Sequence, residues 1–216
     1  MKEIILAGAG GCMRELVWQI QELNKKVSTW KIVGFVDKTA PENTKCVKVG
    51  IEEIPYLGDD DYLLQQTTDC NIAICTGEPS LRKKIATKLM VNPKLHFPNL
   101  ILSKTSICED VRMGQGCIIS MGVEISTNVT IGDFAFLNLH SGICHDGSLG
   151  DYVTLSPDVR LAGNVTVEDG CDLGLGTKVI QGVTIGENTR TGAGSVVVRD
   201  IAGNCTMMGV PAKERK

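Results

Sequence analysis

Several features that would assign this chain of 216 residues to a broad functional class are scarce or missing. Its formal net charge is only −3, and acidic and basic residues are mixed along the chain. Both facts argue against electrostatic binding to nucleic acid or to an anionic membrane. No apolar run reaches the length of a membrane span, and glycines and Arg14 interrupt the apolar N-terminus too early for a secretion signal. We therefore expect a cytoplasmic protein with neither a nucleic-acid nor a membrane partner.

Aromatic residues and paired cysteines are scarce as well. Aromatics make up 4% of the chain and hydrophobic residues 43%, so the core must be built mainly from Val, Ile, Leu and Ala. The nine cysteines are odd in number, scattered and without a CxxC pair. This usage predicts reduced thiols and argues against both a metal cluster and a disulfide framework.

The first part of the chain alternates between strand and helix patterns. The stretches EIILAGAGG, WKIVGFVD and CNIAICTG are short β-rich runs, whereas MRELVWQIQELNKK and EPSLRKKIATKLM have helical periodicity. Strands and helices in close alternation are typical of a small parallel sheet, here a Rossmann-like domain. Because the pattern stops near residue 95, we predict one domain over residues 1–95 and a second over residues 96–216.

A repeat of six residues fills the second part. Every sixth position carries an aliphatic side chain or Met with one exception, Thr191; the positions are Ile107, Met113, Ile119, Ile125, Ile131, Leu137, Ile143, Leu149, Leu155, Leu161, Val167, Leu173, Val179, Ile185, Thr191 and Val197. A period of six fits neither an α-helix nor a series of hairpins. It predicts three hexapeptides per triangular coil, with successive coils stacked as parallel strands around an aliphatic column.

One corner of this repeat carries ionisable side chains. Ile143 and Leu149 are predicted to point inward, so His145 and Asp146 fall at the corner between them and point outward. A carboxylate beside an imidazole can orient it and raise its basicity, which suits a general base. Cys144 is an alternative nucleophile, but we disfavour it because transfer from one thioester to another gains little.

Other polar corner residues are interpreted more simply. Asn128, Asp133 and Glu187 are taken as solvated corners. His140 is interpreted as a corner or contact residue, and His96, at the domain junction, is given no role.

These motifs resemble a known enzyme family. NVTIGDF, NVTVEDG, GVTIGEN and GAGSVV resemble the hexapeptide repeats of acyltransferases with a left-handed parallel β-helix, and GNCTMMGVPAKERK resembles their GxPAK ending. ILAGAGGCMREL, GFVD, IPYLGD and GEPSLRKKI resemble the nucleotide-amino-sugar N-acetyltransferases and the related sialic acid O-acetyltransferases. The resemblance implies a homotrimer that uses acetyl-CoA, without a metal, and binds CoA between two adjacent β-helices. It also implies the left hand, which the usual right-handed crossover rule would not suggest.

The resemblance also implies roles for individual residues. His145 would be the general base, Asp146 would make it more basic, and Asn138 would orient the acceptor, although a plain polar corner explains Asn138 nearly as well. The backbone N–H of Gly163 would stabilise the charge that develops on the thioester oxygen.

Further positions match the family's CoA groove and its basic tail. The matching groove positions are Thr154, Gly163, Leu175 and Ala193. Thr154 stands where the family has His, so a side-chain contact there is open. Lys213 and Arg215 could meet the CoA phosphates, but a solvated basic tail is the favoured interpretation.

The glycine-rich loop after the first strand suggests a second ligand. Gly8, Gly10 and Met13 form G-x-G-x-x-M, which lacks the third glycine of a dinucleotide fingerprint, so NAD is disfavoured. A glycine-rich turn at a helix N-terminus still suits a phosphate. The resemblance places a nucleotide-sugar there, in contact with Gly10, Gly11, Cys12, Asp37, Lys38 and Gly77. The loop GGCMRE departs from the usual family pattern, which leaves the acceptor open.

The predicted function is transfer of an acetyl group from acetyl-CoA to the amino group of a nucleotide-linked amino sugar, by direct attack assisted by His145. Two alternatives remain at this point. One is O-acetylation of sialic acid or a serine-like hydroxyl, and the other is a β-helix scaffold without catalysis.

Overall fold

The chain, a computed structural model that describes residues 1–39 and 45–215, forms two compact units. The first unit comprises the described residues of Met1–Gly77 and Leu81–Pro98, and the second those of Glu78–Ser80 and Asn99–Lys216. In the described ranges, no helix has both the length and the apolar character needed to span a bilayer.

The first unit is an α/β domain built on a six-stranded sheet. Its elements are β1 (Lys2–Ala7), α1 (Gly11–Asn24), β2 (Trp30–Val36), β3 (Cys46–Val49), β4 (Glu52–Gly58), α2 (Asp60–Leu64), β5 (Cys70–Ile74), α3 (Pro79–Leu89, which belongs to this unit from Leu81 onward) and β6 (Leu95–His96). The strands follow the order β3-β4-β2-β1-β5-β6. The predicted parallel sheet is present, but its edge strand β3 runs antiparallel to β4, after a tight turn at Gly50 with φ of 62°.

Helix α1 begins where the glycine-rich loop ends. Gly10 is its N-cap residue, in an extended conformation, and supplies no side-chain cap, and the first turn holds no acidic residue. The free N–H groups of the first turn therefore present a partial positive charge that no side chain of the helix itself caps. The apolar side of α1, with Met13, Leu16, Val17 and Ile20, is buried, which fixes the helix in the unit.

The second unit is a parallel β-helix whose short strands form three faces. The first face contains Leu100–Ile101, Ile118–Ile119, Phe136–Leu137, Thr154–Leu155, Asp172–Leu173, Arg190–Thr191, Thr206–Met208 and Lys213–Glu214. The second contains Ser106–Ile107, Glu124–Ile125, Gly142–Ile143, Arg160–Leu161, Lys178–Val179 and Val196–Val197. The third contains Arg112–Met113, Thr130–Ile131, Ser148–Leu149, Thr166–Val167 and Thr184–Ile185.

The period of six places its aliphatic side chains in the interior. Ile125 pairs with Ile143, and Ile143 pairs with Leu161, so equivalent residues 18 positions apart stack in parallel register. From Ile119 onward every predicted inward position is buried, whereas Ile107 and Met113, in the first coil, are only partly buried. The column is therefore the dry apolar core of the unit.

Corners between the second and third faces repeat a left-handed backbone conformation. Asn128, Asp146 and Asn164 have φ values of 55°, 60° and 57°. Asn and Asp tolerate this conformation better than most residues with a side chain. The N–H of Asp146 donates to the carbonyl of Thr127 at 3.1 Å, which ties each corner to the coil before it.

The C-terminal segment returns along the end of the first face. Lys213–Glu214 runs antiparallel to Thr206–Met208, and the N–H of Arg215 donates to the carbonyl of Thr206 at 2.8 Å. The backbone of the predicted solvated tail is thus paired, while the side chains of Lys213 and Arg215 remain exposed.

Candidate active site

His145 and Asp146 form a hydrogen-bonded pair at an outward corner of the β-helix. Nδ1 of His145 lies 2.8 Å from Oδ2 of Asp146, and the two side chains are 57% and 42% exposed. Because a carboxylate only accepts hydrogen bonds, this contact requires the proton to be on Nδ1. In the neutral ring Nε2 then carries a lone pair, and within the described residues it makes no hydrogen bond.

A third residue, Asn128, which the sequence predicts to be a solvated corner, holds this pair. Nδ2 of Asn128 donates to Oδ1 of Asp146 at 2.7 Å. The bonds from Asn128 and then from His145 lower the pKa of Asp146 below its usual value, because both stabilise the charged carboxylate. The repeat predicts that residues 18 positions apart stack in successive coils. Asn128 and Asp146 are separated by 18 positions, so their contact could have been found from the sequence.

Gly163 lies one coil beyond His145 and directly against its ring. A Cβ at Gly163 would be 2.4 Å from Cε1 of His145 and 2.5 Å from Nε2, so the ring occupies the space that a side chain would need. In the part of the chain that the structure describes, the Gly163 N–H donates to no acceptor. The equivalent N–H groups of Thr127 and Gln181 likewise meet no acceptor among the described residues, so it is the contact with His145 that distinguishes Gly163.

The other residues predicted for this site lie elsewhere on the coil. Asn138 is at the corner between the first and second faces, where its Oδ1 accepts from the N–H of Leu139 at 2.7 Å. Leu175 and Ala193 are exposed at that same corner, in successive coils. Thr154 is in a strand of the first face and only 4% exposed. Within one chain, Gly163 therefore contacts the His145–Asp146 pair. The other predicted residues lie away from that pair: Asn138, Thr154, Leu175 and Ala193.

A separate cavity of about 630 Å³ opens in the first unit. The six residues predicted to contact a nucleotide-sugar all line it: Gly10, Gly11, Cys12, Asp37, Lys38 and Gly77. They come from the loops after β1, β2 and β5 and from the first turn of α1, since the carboxyl ends of parallel strands meet at one edge of a sheet.

The electrostatics of this cavity suit an anion. The open N-terminus of α1 faces it, and Lys38, Lys84 and Lys88 are among its lining residues. Lys88 is committed to Asp60, with Nζ 2.8 Å from Oδ2, and this bond raises the pKa of Lys88. Lys38 and Lys84 have no such ion pair among the described residues.

Asp37 shapes the mouth of the same cavity. Its Oδ2 accepts from the N–H of Ala9 at 2.7 Å, and its Oδ1 accepts from the N–H and hydroxyl of Thr39 at 2.6 and 2.7 Å. Asp37 therefore holds the glycine-rich loop to the end of β2. Burial raises the pKa of the Cys12 thiol to about 11, so this lining thiol stays protonated near neutral pH.

The remaining candidates lie outside these two sites. Nε2 of His96 is 3.1 Å from Oδ1 of Asp69 in the first unit. His140 is at a different corner from His145, with its ring over Gly122. The exposed Cys144 precedes His145, and none of the nine cysteines, which fall within the described ranges, forms a disulfide.

Comparisons with known proteins place these features in one family. The PglD N-terminal domain matches residues 3–89. A histidine-to-alanine variant of GDP-perosamine N-acetyltransferase from Caulobacter crescentus, solved with CoA and GDP-perosamine, is 31% identical, with a TM-score of 0.87 over 100% of this chain and 98% of that one. The acetyltransferase domain of PglB from Neisseria gonorrhoeae shares the fold at 24% identity, with a TM-score of 0.86 over 100% of both chains.

A curated relative covers a smaller region. Serine acetyltransferase from Synechococcus elongatus is 37% identical over 130 residues, which are 58% of this chain and 49% of that protein. The chain thus spans about half the length of that curated relative.

The paired units and the full-length likeness define the class: the chain is a left-handed parallel β-helix enzyme of the acyltransferase type. It belongs to the hexapeptide-repeat sugar acetyltransferases, in the group that carries the PglD N-terminal domain. The resemblance seen in the sequence and the fold class are confirmed, and the CoA bound in the Caulobacter crescentus structure agrees with the predicted acetyl-CoA co-substrate.

Proposed function

We propose that this protein transfers the acetyl group of acetyl-CoA to the amino group of a nucleotide-linked amino sugar, with His145 as the general base. The observation that carries the proposal is the His145–Asp146 pair, which commits Nδ1 and leaves Nε2 open at an exposed corner. The cavity of the first unit supports the acceptor class, because it combines an open helix N-terminus with two lysines that form no ion pair with any described residue.

The reaction follows from these groups. The acceptor nitrogen attacks the thioester carbonyl carbon as Nε2 of His145 takes a proton from it, and the carbonyl oxygen becomes an oxyanion. The Gly163 N–H is available to donate to that oxyanion, because it has no acceptor among the described residues. Collapse of the tetrahedral intermediate breaks the C–S bond, and the thiolate leaves as CoA thiol with the proton returned by His145.

The remaining predicted residues belong to this proposal through the family resemblance. Asn138 would orient the acceptor, and Thr154, Leu175 and Ala193 would line the CoA groove together with Gly163. Because Asn138, Leu175 and Ala193 share a corner that differs from the His145 corner, one chain does not bring them together. We therefore propose a homotrimer in which the neighbouring chain supplies them.

O-acetylation is the second candidate, because a curated relative that matches 58% of this chain is a serine acetyltransferase. A hydroxyl acceptor would use the same base. It would leave the 630 Å³ cavity of the first unit without an assigned ligand, which is why we prefer the amino sugar.

A panel of acceptors tests the proposal. CoA release is measured with GDP-perosamine, with UDP- and dTDP-linked amino sugars, with sialic acid and with serine, against an acceptor-free control. We expect turnover with at least one amino sugar, and a loss of about 10²- to 10⁴-fold in His145→Ala. Turnover with a hydroxyl acceptor alone would make the N-acetyl assignment wrong, and full activity of His145→Ala would overturn the general base.

A further inference from the structure

We propose that Asn128 is a positioning residue for His145: it fixes the Asp146 carboxylate so that the ring keeps its proton on Nδ1 and offers Nε2 to the acceptor. This inference deepens the proposed function and rests on it for the role of His145.

The two oxygens of Asp146 are divided between two partners. Oδ2 meets Nδ1 of His145 at 2.8 Å, and Oδ1 accepts from Nδ2 of Asn128 at 2.7 Å. The terminal torsion of an Asp side chain is soft and broad, so a carboxylate with one partner can swing about its last bond. The second partner removes that freedom. Asn128 is the one described side chain other than His145 that holds this carboxylate.

Asn128 is itself held by the coil before it. Its N–H donates to Oδ2 of Asp110 at 3.0 Å, and the neighbouring hydroxyl of Thr127 donates to the same oxygen at 2.6 Å. The amide must turn its NH₂ group toward Asp146, because its oxygen would face a carboxylate and repel it. A chain of hydrogen bonds therefore runs along one corner of the β-helix, from Asp110 through Asn128 and Asp146 to His145.

The Asn128 side chain acts on Asp146 through its uncharged NH₂ donor as well as through its position. The bond from Asn128 is the largest cause that lowers the pKa of Asp146, which keeps that carboxylate charged and purely an acceptor. A charged acceptor next to Nδ1 favours the tautomer with the proton there. An aspartate in place of Asn128 would have the same size but would set two carboxylates against each other and remove the donor.

Asn128→Gly is the test variant, because glycine keeps the left-handed backbone without strain. Asn188→Gly is the matched control: Asn188 has φ of 52°, and its Nδ2 donates to Oδ1 of Asn204 at 3.1 Å, at a corner away from His145. We expect Asn128→Gly to lower kcat about 10- to 100-fold with little change in KM, since an orienting contact is lost. Asn188→Gly should change thermal stability to a similar extent and leave kcat unchanged.

A spectroscopic readout separates positioning from folding. The chain has three histidines, so ¹⁵N-labelled imidazole rings give few signals, and His145→Ala assigns those of His145. In the unaltered protein the neutral His145 ring should show protonated Nδ1 and unprotonated Nε2. In Asn128→Gly the signals should move toward a mixture of tautomers, while in Asn188→Gly they should not move.

The outcomes divide cleanly between the two proposals. A fall in kcat together with a tautomer shift in Asn128→Gly supports the inference, and an equal or larger fall in the isosteric Asn128→Asp strengthens it. Unchanged kcat and tautomer in Asn128→Gly, with His145→Ala inactive, overturn the role of Asn128 and leave the proposed function intact. If His145→Ala is active, the general base is wrong, and the ring signals alone still decide whether Asn128 orients His145.

Discussion

Gly163→Ala adds a single methyl group at a position that lies directly against the ring of His145, which belongs to the previous coil. The φ of Gly163 lies outside the left-handed region, so alanine fits its backbone without strain. The new Cβ would lie 2.4 Å from Cε1 of His145 and 3.0 Å from Nδ1. The substitution therefore displaces the imidazole and keeps the backbone N–H of residue 163 in place.

The magnitude follows from those distances. Ordinary van der Waals contact begins at 3.4 Å, so the ring must move by about 1 Å or rotate toward solvent. A misplacement of about 1 Å in a catalytic group can lower the rate about 10²-fold. The His145 side chain is 57% exposed, so it can yield at small cost, and the free energy of unfolding should change by less than about 1 kcal/mol.

Steady-state kcat with acetyl-CoA and the best acceptor, together with urea denaturation, checks this prediction. Gly142→Ala is the matched control, because its Cβ would meet Nη1 of Arg160, the far end of a flexible side chain outside the proposed site. We expect Gly142→Ala to keep kcat and Gly163→Ala to lose it. A fully active Gly163→Ala would refute this prediction, because it would show that the position of His145 against this glycine does not affect kcat.

Three further outcomes are expected. Asp146→Asn keeps the size of the side chain but removes the charge on the acceptor of Nδ1, so kcat should fall about 10- to 100-fold while stability is preserved; unchanged kcat would contradict the pair. Gly10→Ala has open space around the new Cβ and a φ of −76°, so the protein should fold normally. Calorimetry should nevertheless show weaker binding of nucleoside diphosphates, because the added methyl group occupies space at the α1 N-terminus where we place the phosphate. Equal affinity would contradict that placement of the phosphate. Leu155→Ala empties a fully buried position of the column and should cost about 2–5 kcal/mol of unfolding free energy in urea, and a loss below about 1 kcal/mol would show that the coils can collapse around the gap.

The β-helix could be predicted almost residue by residue, because its interior repeats one physical requirement. Each coil must bury an aliphatic side chain every six residues, and any slip would turn that side chain to solvent. Partial burial of Ile107 and Met113 follows from their place in the first coil. The β3–β4 hairpin was not predicted, since an antiparallel edge strand such as Cys46–Val49 is short and only half-buried.

The candidate site was harder to predict than the fold, because exposed corners follow no burial rule. His145 and Asp146 were identified from their chemistry and adjacency. Asn128 was interpreted as solvated, since an exposed asparagine at a left-handed corner has a sufficient local explanation. Its contact with Asp146 becomes visible only when residues 18 positions apart are read as neighbours. The residues that line the cavity of the first unit were named from the family resemblance, and in the proposed homotrimer Asn138 and Thr154 would meet their ligands only together with a neighbouring chain.

The returning strand Lys213–Glu214 has a consequence for how the molecules behave at high concentration. A column of parallel coils ends in backbone groups that face outward, and another molecule could extend the column there without limit. On the first face, the strand Thr206–Met208 instead pairs with the chain's own antiparallel return. The returning strand thereby covers the backbone edge of Thr206–Met208. A protein truncated after Met208 should therefore leave the outer edge of Thr206–Met208 unpaired, and its sedimentation coefficient should rise with concentration more steeply than that of the full chain.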